Sequence, residues 1–198
     1  MKTPTDKLVL KYIEEFDSLT LKQCQRGFYN TQNCGYEVAR RRMQKLVDAK
    51  YLKVGKNKTS NENVYYMERK LKQHDLLVMD FYIELLAMGA TDITFIRSKP
   101  WLDNLIISDA YAIYTFGGFT YYNIVEVCLT HNRIPMDNYE KLFDSHEGDI
   151  INPGEENSFP SIIIIDDVSH KKEMNSSSRI KIYKINFELS DFAKIFID

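Results

Sequence analysis

Arg40, Arg41 and Arg42, closely followed by Gln44 and Lys45, form the densest group of chemistry-bearing side chains in the chain. Guanidinium groups are permanent cations whose forked N–H donors match phosphate oxygens and the edge of guanine. Tyr36 lies just upstream, and Lys53, Lys56 and Lys58 follow in a polar stretch. Gathered on one surface, these residues would bind a polyanion. The same arginines would also suit the solvated face of a protein-binding helix, and both readings stand at this point. Covalent chemistry is poorly served: no Gly-x-x-x-x-Gly-Lys-Ser/Thr phosphate loop and no Gly-x-Ser-x-Gly nucleophile turn occurs. Cys24, Cys34 and Cys128 make no C-x-x-C pair, and His74, His131, His146 and His170 lack metal-ligand spacing. A disulfide framework and structural zinc are therefore not expected, and the cysteine usage fits a reducing cytoplasm.

The elements that must position the cations can be read from periodicity. Asp6 to Phe16 places Val9, Tyr12, Ile13 and Phe16 on one helical face, with Thr5 or Asp6 as the expected cap. A second helix is expected from about Thr20, with Leu21, Cys24 and Phe28 inward, and residues 30–35 read as a polar turn. A third helix over Tyr36 to Ala49 buries Ala39, Met43, Leu46 and Val47. It turns Glu37, Arg40, Arg41 and Gln44 outward, with Arg42 and Lys45 flanking. Tyr51 to Val54 and Val64 to Met67 read as strands around the polar loop 55–63.

Charge divides the chain. The first 72 residues hold 16 of the 26 Lys and Arg against 8 of the 28 Asp and Glu, a balance of +8. The remainder stands at −10, and the formal total of −2 conceals both. This predicts a basic domain over residues 1–70 and an acidic one over 71–198. With 44% hydrophobic residues the chain can bury one or two cores. No run approaches a membrane span, and Met1 to Asp6 shows no secretory signal.

In the acidic part a largely apolar helix is expected over Leu76 to Met88, then a strand at Ile93 to Arg97 and an interruption at Pro100-Trp101. Strands follow at Leu105 to Tyr114 and Phe119 to Leu129, parted by Gly117-Gly118, then a helix at Met136 to Phe143. After a polar loop around Asn152-Pro153-Gly154 come strands at Ser161 to Asp166 and Ile180 to Phe187 and a short closing helix. The acid-rich run Asp137, Glu140, Asp144, Glu147, Asp149, Glu155 and Glu156 reads as solvated loop or as a protein-docking surface. The fold class is α/β in the broad α+β sense, a helical head followed by a mixed-sheet domain.

Three helices and a basic hairpin follow the winged helix-turn-helix order. Arg41-Arg42-Met43-Gln44-Lys45-Leu46-Val47-Asp48-Ala49-Lys50-Tyr51-Leu52 resembles the recognition-helix-to-wing segment of that superfamily, with Lys50 where many members carry Gly. The second domain resembles the restriction-endonuclease-like core. The chain as a whole is similar to the replication-relaxation family of phages, plasmids and integrative elements. The matching strings are His74-Asp75-Leu76-Leu77-Val78, Ser108-Asp109-Ala110, Ile124-Val125-Glu126-Val127 and Asn138-Tyr139-Glu140-Lys141-Leu142, within Asp6 to Phe143.

That resemblance implies a site in which Asp109 and Glu126 hold Mg²⁺ between neighbouring strands, with a lysine two residues after the glutamate. Cys128 occupies the lysine position, and Ser108 stands where proline is usual; Lys141 is the remaining candidate for the missing charge. A thiol near its ordinary pKa supplies no fixed positive charge, so a scaffold without catalysis and without a cofactor is expected. The implied function is duplex-DNA binding in replication, relaxation or transfer of a mobile element. The acidic domain would serve a second copy or a partner protein. A Mg²⁺-dependent endonuclease and a transcriptional regulator are the alternatives.

Overall fold

The computed structural model describes residues 2–30, 34–129, 134–150, 158–167 and 179–196. The turn residues 31–33, the loop Asn152-Pro153-Gly154 with Glu155 and Glu156, and His131 and His170 lie outside them. The chain divides into two units, Met1–Gly89 and Ala90–Asp198.

The first unit opens with α1 (Pro4–Phe16). Its cap is Thr3 rather than the expected Thr5 or Asp6. The Thr3 hydroxyl accepts from Asp6 N at 3.1 Å, and Thr3 N donates to the Asp6 carboxylate at 2.7 Å. Pro4, which has no N–H to lose, fills the first helical turn. A three-residue strand, β1 (Ser18–Thr20), precedes α2 (Leu21–Phe28), and Thr20 and Gln23 repeat the same reciprocal cap. α3 (Gly35–Asp48) follows, then β2 (Lys53–Lys56) and β3 (Asn63–Tyr66). The three strands form an antiparallel sheet in the order β1-β3-β2. Val9, Ile13, Leu19, Cys24, Ala39, Met43 and Val64 are buried at its centre. A fully buried aliphatic side chain of this kind contributes roughly 2 kcal/mol. Lys50, at φ +60°, adopts the left-handed turn-out of α3 that glycine usually supplies.

The sixteen-residue helix α4 (Gln73–Met88) belongs to this first unit, so the expected boundary after residue 70 moves to Gly89. Its composition is that of the acidic half, but its packing partners are on α1 and α2. Gln23 Nε2 donates to Leu76 O at 2.8 Å and to Asp80 Oδ1 at 3.1 Å, and Arg26 pairs with Glu84 at 3.1 Å. Tyr82 meets the rings of Phe16 and Tyr12 at 4.8 and 5.8 Å. With α4 included, the unit has 16 Lys and Arg against 11 Asp and Glu, still a surplus of five.

Asp80 retains some exposure, yet α2 encloses its carboxyl. Burial raises its pKa to about 7, with Glu62 and Glu84 adding to the rise and Arg26 and Gln23 opposing it. A carboxyl raised in the folded state stabilises the fold fully below its unfolded pKa and loses that contribution as pH climbs through the folded value. The unit should therefore lose stability from this group between about pH 4 and pH 7. Asp80→Asn, which keeps an acceptor for Gln23, should flatten that dependence. Urea melts on either side of the window check it, and an unchanged pH slope would contradict the assignment.

The second unit is a five-stranded sheet in the order β4-β5-β6-β7-β8. β4 (Thr91–Trp101), β5 (Ile106–Phe116) and β6 (Phe119–Cys128) form an antiparallel meander. Gly117 and Gly118, at φ +59° and +86°, make the tight turn between β5 and β6. α5 (Met136–Ser145) then crosses over to β7 (Ser161–Asp166), which runs parallel to β6, and β8 (Ile182–Ile185) runs parallel to β7. A 3₁₀ turn, Phe192–Phe196, closes the unit. Ile162 to Ile165 are all buried, as a parallel strand flanked on both sides requires. The expected break at Pro100-Trp101 does not occur. β4 is an edge strand, where a residue lacking N–H costs no ladder bond. α5 packs Tyr139 and Leu142 onto Ile124, Ile162 and Ile164.

Candidate functional site

α3 presents Tyr36, Glu37, Arg40, Arg41, Gln44 and Lys45 to solvent while Ala39, Met43 and Leu46 face the core. Tyr36 is 46% exposed. Arg40 binds Glu37 one turn earlier through Nε at 3.0 Å and Nη2 at 2.8 Å, which raises its already high pKa. Gln44 donates to Asp48 at 2.8 Å. Tyr36 and Arg40 also lie within electrostatic reach of Tyr65 on β3.

Arg42 departs from the sequence expectation. Its guanidinium turns inward and grips the Asp6 carboxylate, with Nε at 3.0 Å from Oδ1 and Nη2 in close contact with Oδ2. Asp6 is wholly buried and the Arg42 side chain is 18% exposed. Burial opposes ionisation of Asp6, but the Arg42 and Thr3 hydrogen bonds outweigh it and hold the carboxyl below its ordinary value. Arg42 stands three residues after Ala39 and four before Leu46, on the inner stripe of the helix. It fixes α3 to α1 and leaves Arg40, Arg41, Gln44 and Lys45 to the open face.

The hairpin loop is built to hold its lysines. Asn57 pins it by accepting from Thr59 N at 2.9 Å, by donating to Glu62 O at 2.8 Å and through a close side-chain bond to Gln73. Lys53, Lys56 and Lys58 are all exposed, and Lys56 Nζ reaches Asn61 O at 3.0 Å. Lys70, which sequence reasoning passed over, donates to Lys56 O at 2.8 Å and lies 3.1 Å from where a Cβ on Gly55 would sit. Its signal was the run Arg69-Lys70-Leu71-Lys72 directly after the hairpin.

In the second unit Asp109 on β5 and Glu126 on β6 come together, one step along from the Ala110–Val125 pair. Asp109 accepts from Val127 N at 2.8 Å, and Glu126 accepts a short bond from the Tyr139 hydroxyl of α5. Burial and then the Glu126 charge push the Tyr139 pKa upward. Cys128 faces Asp166 across the β6–β7 pair. Burial, with Asp166, Glu126 and Asp109 following, pushes its thiol up to about 11, so it remains neutral and is no substitute for a lysine.

Lys141 is exposed and lies about 200° around α5 from Tyr139, away from the carboxylates. Lys184, unnoticed in the sequence, pairs in register with Ile164, which itself pairs with Glu126; side-chain parity puts all three on one face. Lys184 is also close enough to Cys128 to lower its pKa. Among the described residues no group of three or more His, Cys, Asp and Glu is arranged to hold a metal ion. One oxygen of each carboxylate accepts a bond from a protein donor, Asp109 from Val127 N and Glu126 from Tyr139.

Among the described residues no helix is long and apolar enough to cross a membrane. Searches against family models, curated proteins and solved structures found no match to this chain.

Proposed function

We propose that residues 1–89 form a winged helix that binds duplex DNA. α3 enters the major groove, with Arg40, Arg41, Gln44 and Lys45 toward the bases and phosphates. The β2–β3 hairpin lays Lys53, Lys56 and Lys58 on the neighbouring backbone. The observation that carries this reading is that one basic unit holds both an arginine-bearing open helix face and a pinned, lysine-bearing hairpin. Salt-dependent titration of a labelled duplex tests it, because each neutralised phosphate releases counterions. The role in replication, relaxation or transfer of a mobile element rests on the sequence resemblance. In this reading the acidic unit is a nuclease-like scaffold that meets a second copy or a partner protein. Footprinting separates it from a transcriptional regulator: protection at a promoter of the chain's own operon favours regulation, and protection at an origin favours replication or transfer.

The juxtaposition of Asp109 and Glu126, with Lys184 on the same sheet face, gives the endonuclease alternative its one structural support. With a neutral Cys128 where the resemblance implies a lysine, supercoiled plasmid incubated with the protein and Mg²⁺ or Mn²⁺ should stay uncut. Nicking that disappears in Glu126→Gln would overturn the non-catalytic reading.

A further inference from the structure

The hairpin loop from Gly55 to Asn63, which carries Lys56 and Lys58, has no apolar side chain to seat it against the core. Polar bonds to two helices seat it instead. Asn57, alone of these residues, is buried, and its side-chain N–H donates to the Gln73 amide oxygen on α4. The same Asn57 side chain accepts from Thr59 N at 2.9 Å, and Asn61 N donates to Asn57 O at 3.0 Å. One anchored residue thereby orders both sides of the loop. Toward its far end the Glu62 carboxylate accepts from Lys22 N at 2.7 Å, in the first turn of α2, where N–H groups lack helical partners.

α4 is itself held in place. Gln73, Leu76, Asp80 and Glu84 recur at the spacing of one helical stripe. The Leu76 carbonyl and the Asp80 and Glu84 carboxylates meet Gln23 and Arg26 of α2. Gln73 is uncharged and Glu62 has the wrong charge for a phosphate, so neither would strengthen DNA binding by attraction. What they do is fix where Lys56 and Lys58 stand. Side chains ordered beforehand need not be ordered at the moment of binding.

We propose that Gln73 and Glu62 are positioning residues for duplex binding, holding the lysine-bearing loop from α4 and α2 without touching DNA. This rests on the duplex-binding reading of the first unit. The test is fluorescence anisotropy of the full chain with a labelled duplex, beside amide hydrogen exchange on the free protein. Gln73→Met keeps length and helix propensity but offers Asn57 no amide oxygen, and should weaken duplex binding about tenfold. In a chain already carrying Lys56→Ala and Lys58→Ala, the same change should cost less than about twofold, because a residue acting through those lysines has nothing left to place. Glu62→Ala separates placement from charge. Removing a carboxylate would by attraction alone tighten binding, whereas loss of the tie to Lys22 N should weaken it about threefold. In both variants exchange at Thr59 N and Asn61 N should quicken while that of Met43 N and Leu46 N in α3 stays slow. Thermal melts establish that each variant is folded, and the two cut separate ties, so loss of fold in one leaves the other decisive. A parent chain that fails to bind duplex would sink the DNA reading, and with it the ligand named here. Unchanged exchange in both variants would overturn the positioning role whatever the ligand. So would a binding parent matched by Gln73→Met, a Gln73→Met loss that persists without the two lysines, or unchanged or tighter binding by Glu62→Ala.

Discussion

Replacing Arg40 and Arg41 together with Ala is expected to weaken duplex binding on the order of a hundredfold and to lower the salt slope by about two. Both side chains are exposed and neither packs in the core, so the melting temperature should stay close to that of the parent chain. The two losses should be unequal. Arg40 must exchange its bond to Glu37 for one to DNA, whereas Arg41 extends from the adjoining position on the open face. Arg41→Ala should therefore cost more affinity than Arg40→Ala. Fluorescence anisotropy with a labelled duplex, beside thermal melts of each variant, measures both. A variant that loses its fold along with its affinity would place these arginines in the structural frame instead of the interface.

Asp6→Ala should have the opposite profile. It leaves the Arg42 guanidinium, largely covered, without its carboxylate and removes half of the Thr3 cap. Stranding one member of such a pair costs about 3 kcal/mol, which in a unit of this size lowers Tm by more than about 10 °C. Arg42→Ala should destabilise for the same reason, through a lost brace between α1 and α3, not through a lost phosphate contact. The pH signature has a definite sign. A carboxyl held below its unfolded pKa stabilises the fold above that value, and the contribution disappears as pH falls through the folded pKa. Asp6 therefore acts at the acid end, below about pH 4, while Asp80 acts in the other direction between there and neutrality. Guanidinium melts across that range, on the parent and both variants, separate the two. An Asp6→Ala chain as stable as the parent would contradict the brace.

Much of the first unit was legible because helical periodicity and charge coincide there. Val9, Ile13 and Phe16 mark α1, Ala39, Met43 and Leu46 mark α3, and the outward arginines are their complement. Arg42 was read as flanking and grouped with the DNA-facing arginines, although its spacing from Ala39 and Leu46 lets its guanidinium reach Asp6 on α1. β1 escaped notice because three residues, Ser18 to Thr20, carry no period of their own and gain meaning by pairing with β3. α4 was assigned to the wrong unit because composition does not reveal a partner. The Gln23, Arg26 and Phe16 contacts that hold it are between 50 and 70 residues distant in sequence.

In the second unit, the alternation of β5 and β6 was readable, but the proximity of Asp109 and Glu126 was only implied by the resemblance until the strand register set them side by side. Lys184 and Asp166 could be added only once strand order and register were known. Parity assigns a residue to one of two faces, but a one-residue slip exchanges them. Tyr139 joined the cluster for a similar reason: its role depends on which side of α5 meets the sheet.

The central claim, a basic unit whose arginine-bearing helix face lies on a duplex, is tested most directly by the salt dependence of binding. The full chain would be titrated with a labelled duplex at several salt concentrations from about 50 to 200 mM. Phosphate contacts from Arg40, Arg41, Lys45, Lys53, Lys56 and Lys58 predict a steep fall of log affinity with log salt, on the order of −5. A flat line, or a slope that survives Arg40→Ala with Arg41→Ala unchanged, would contradict the account.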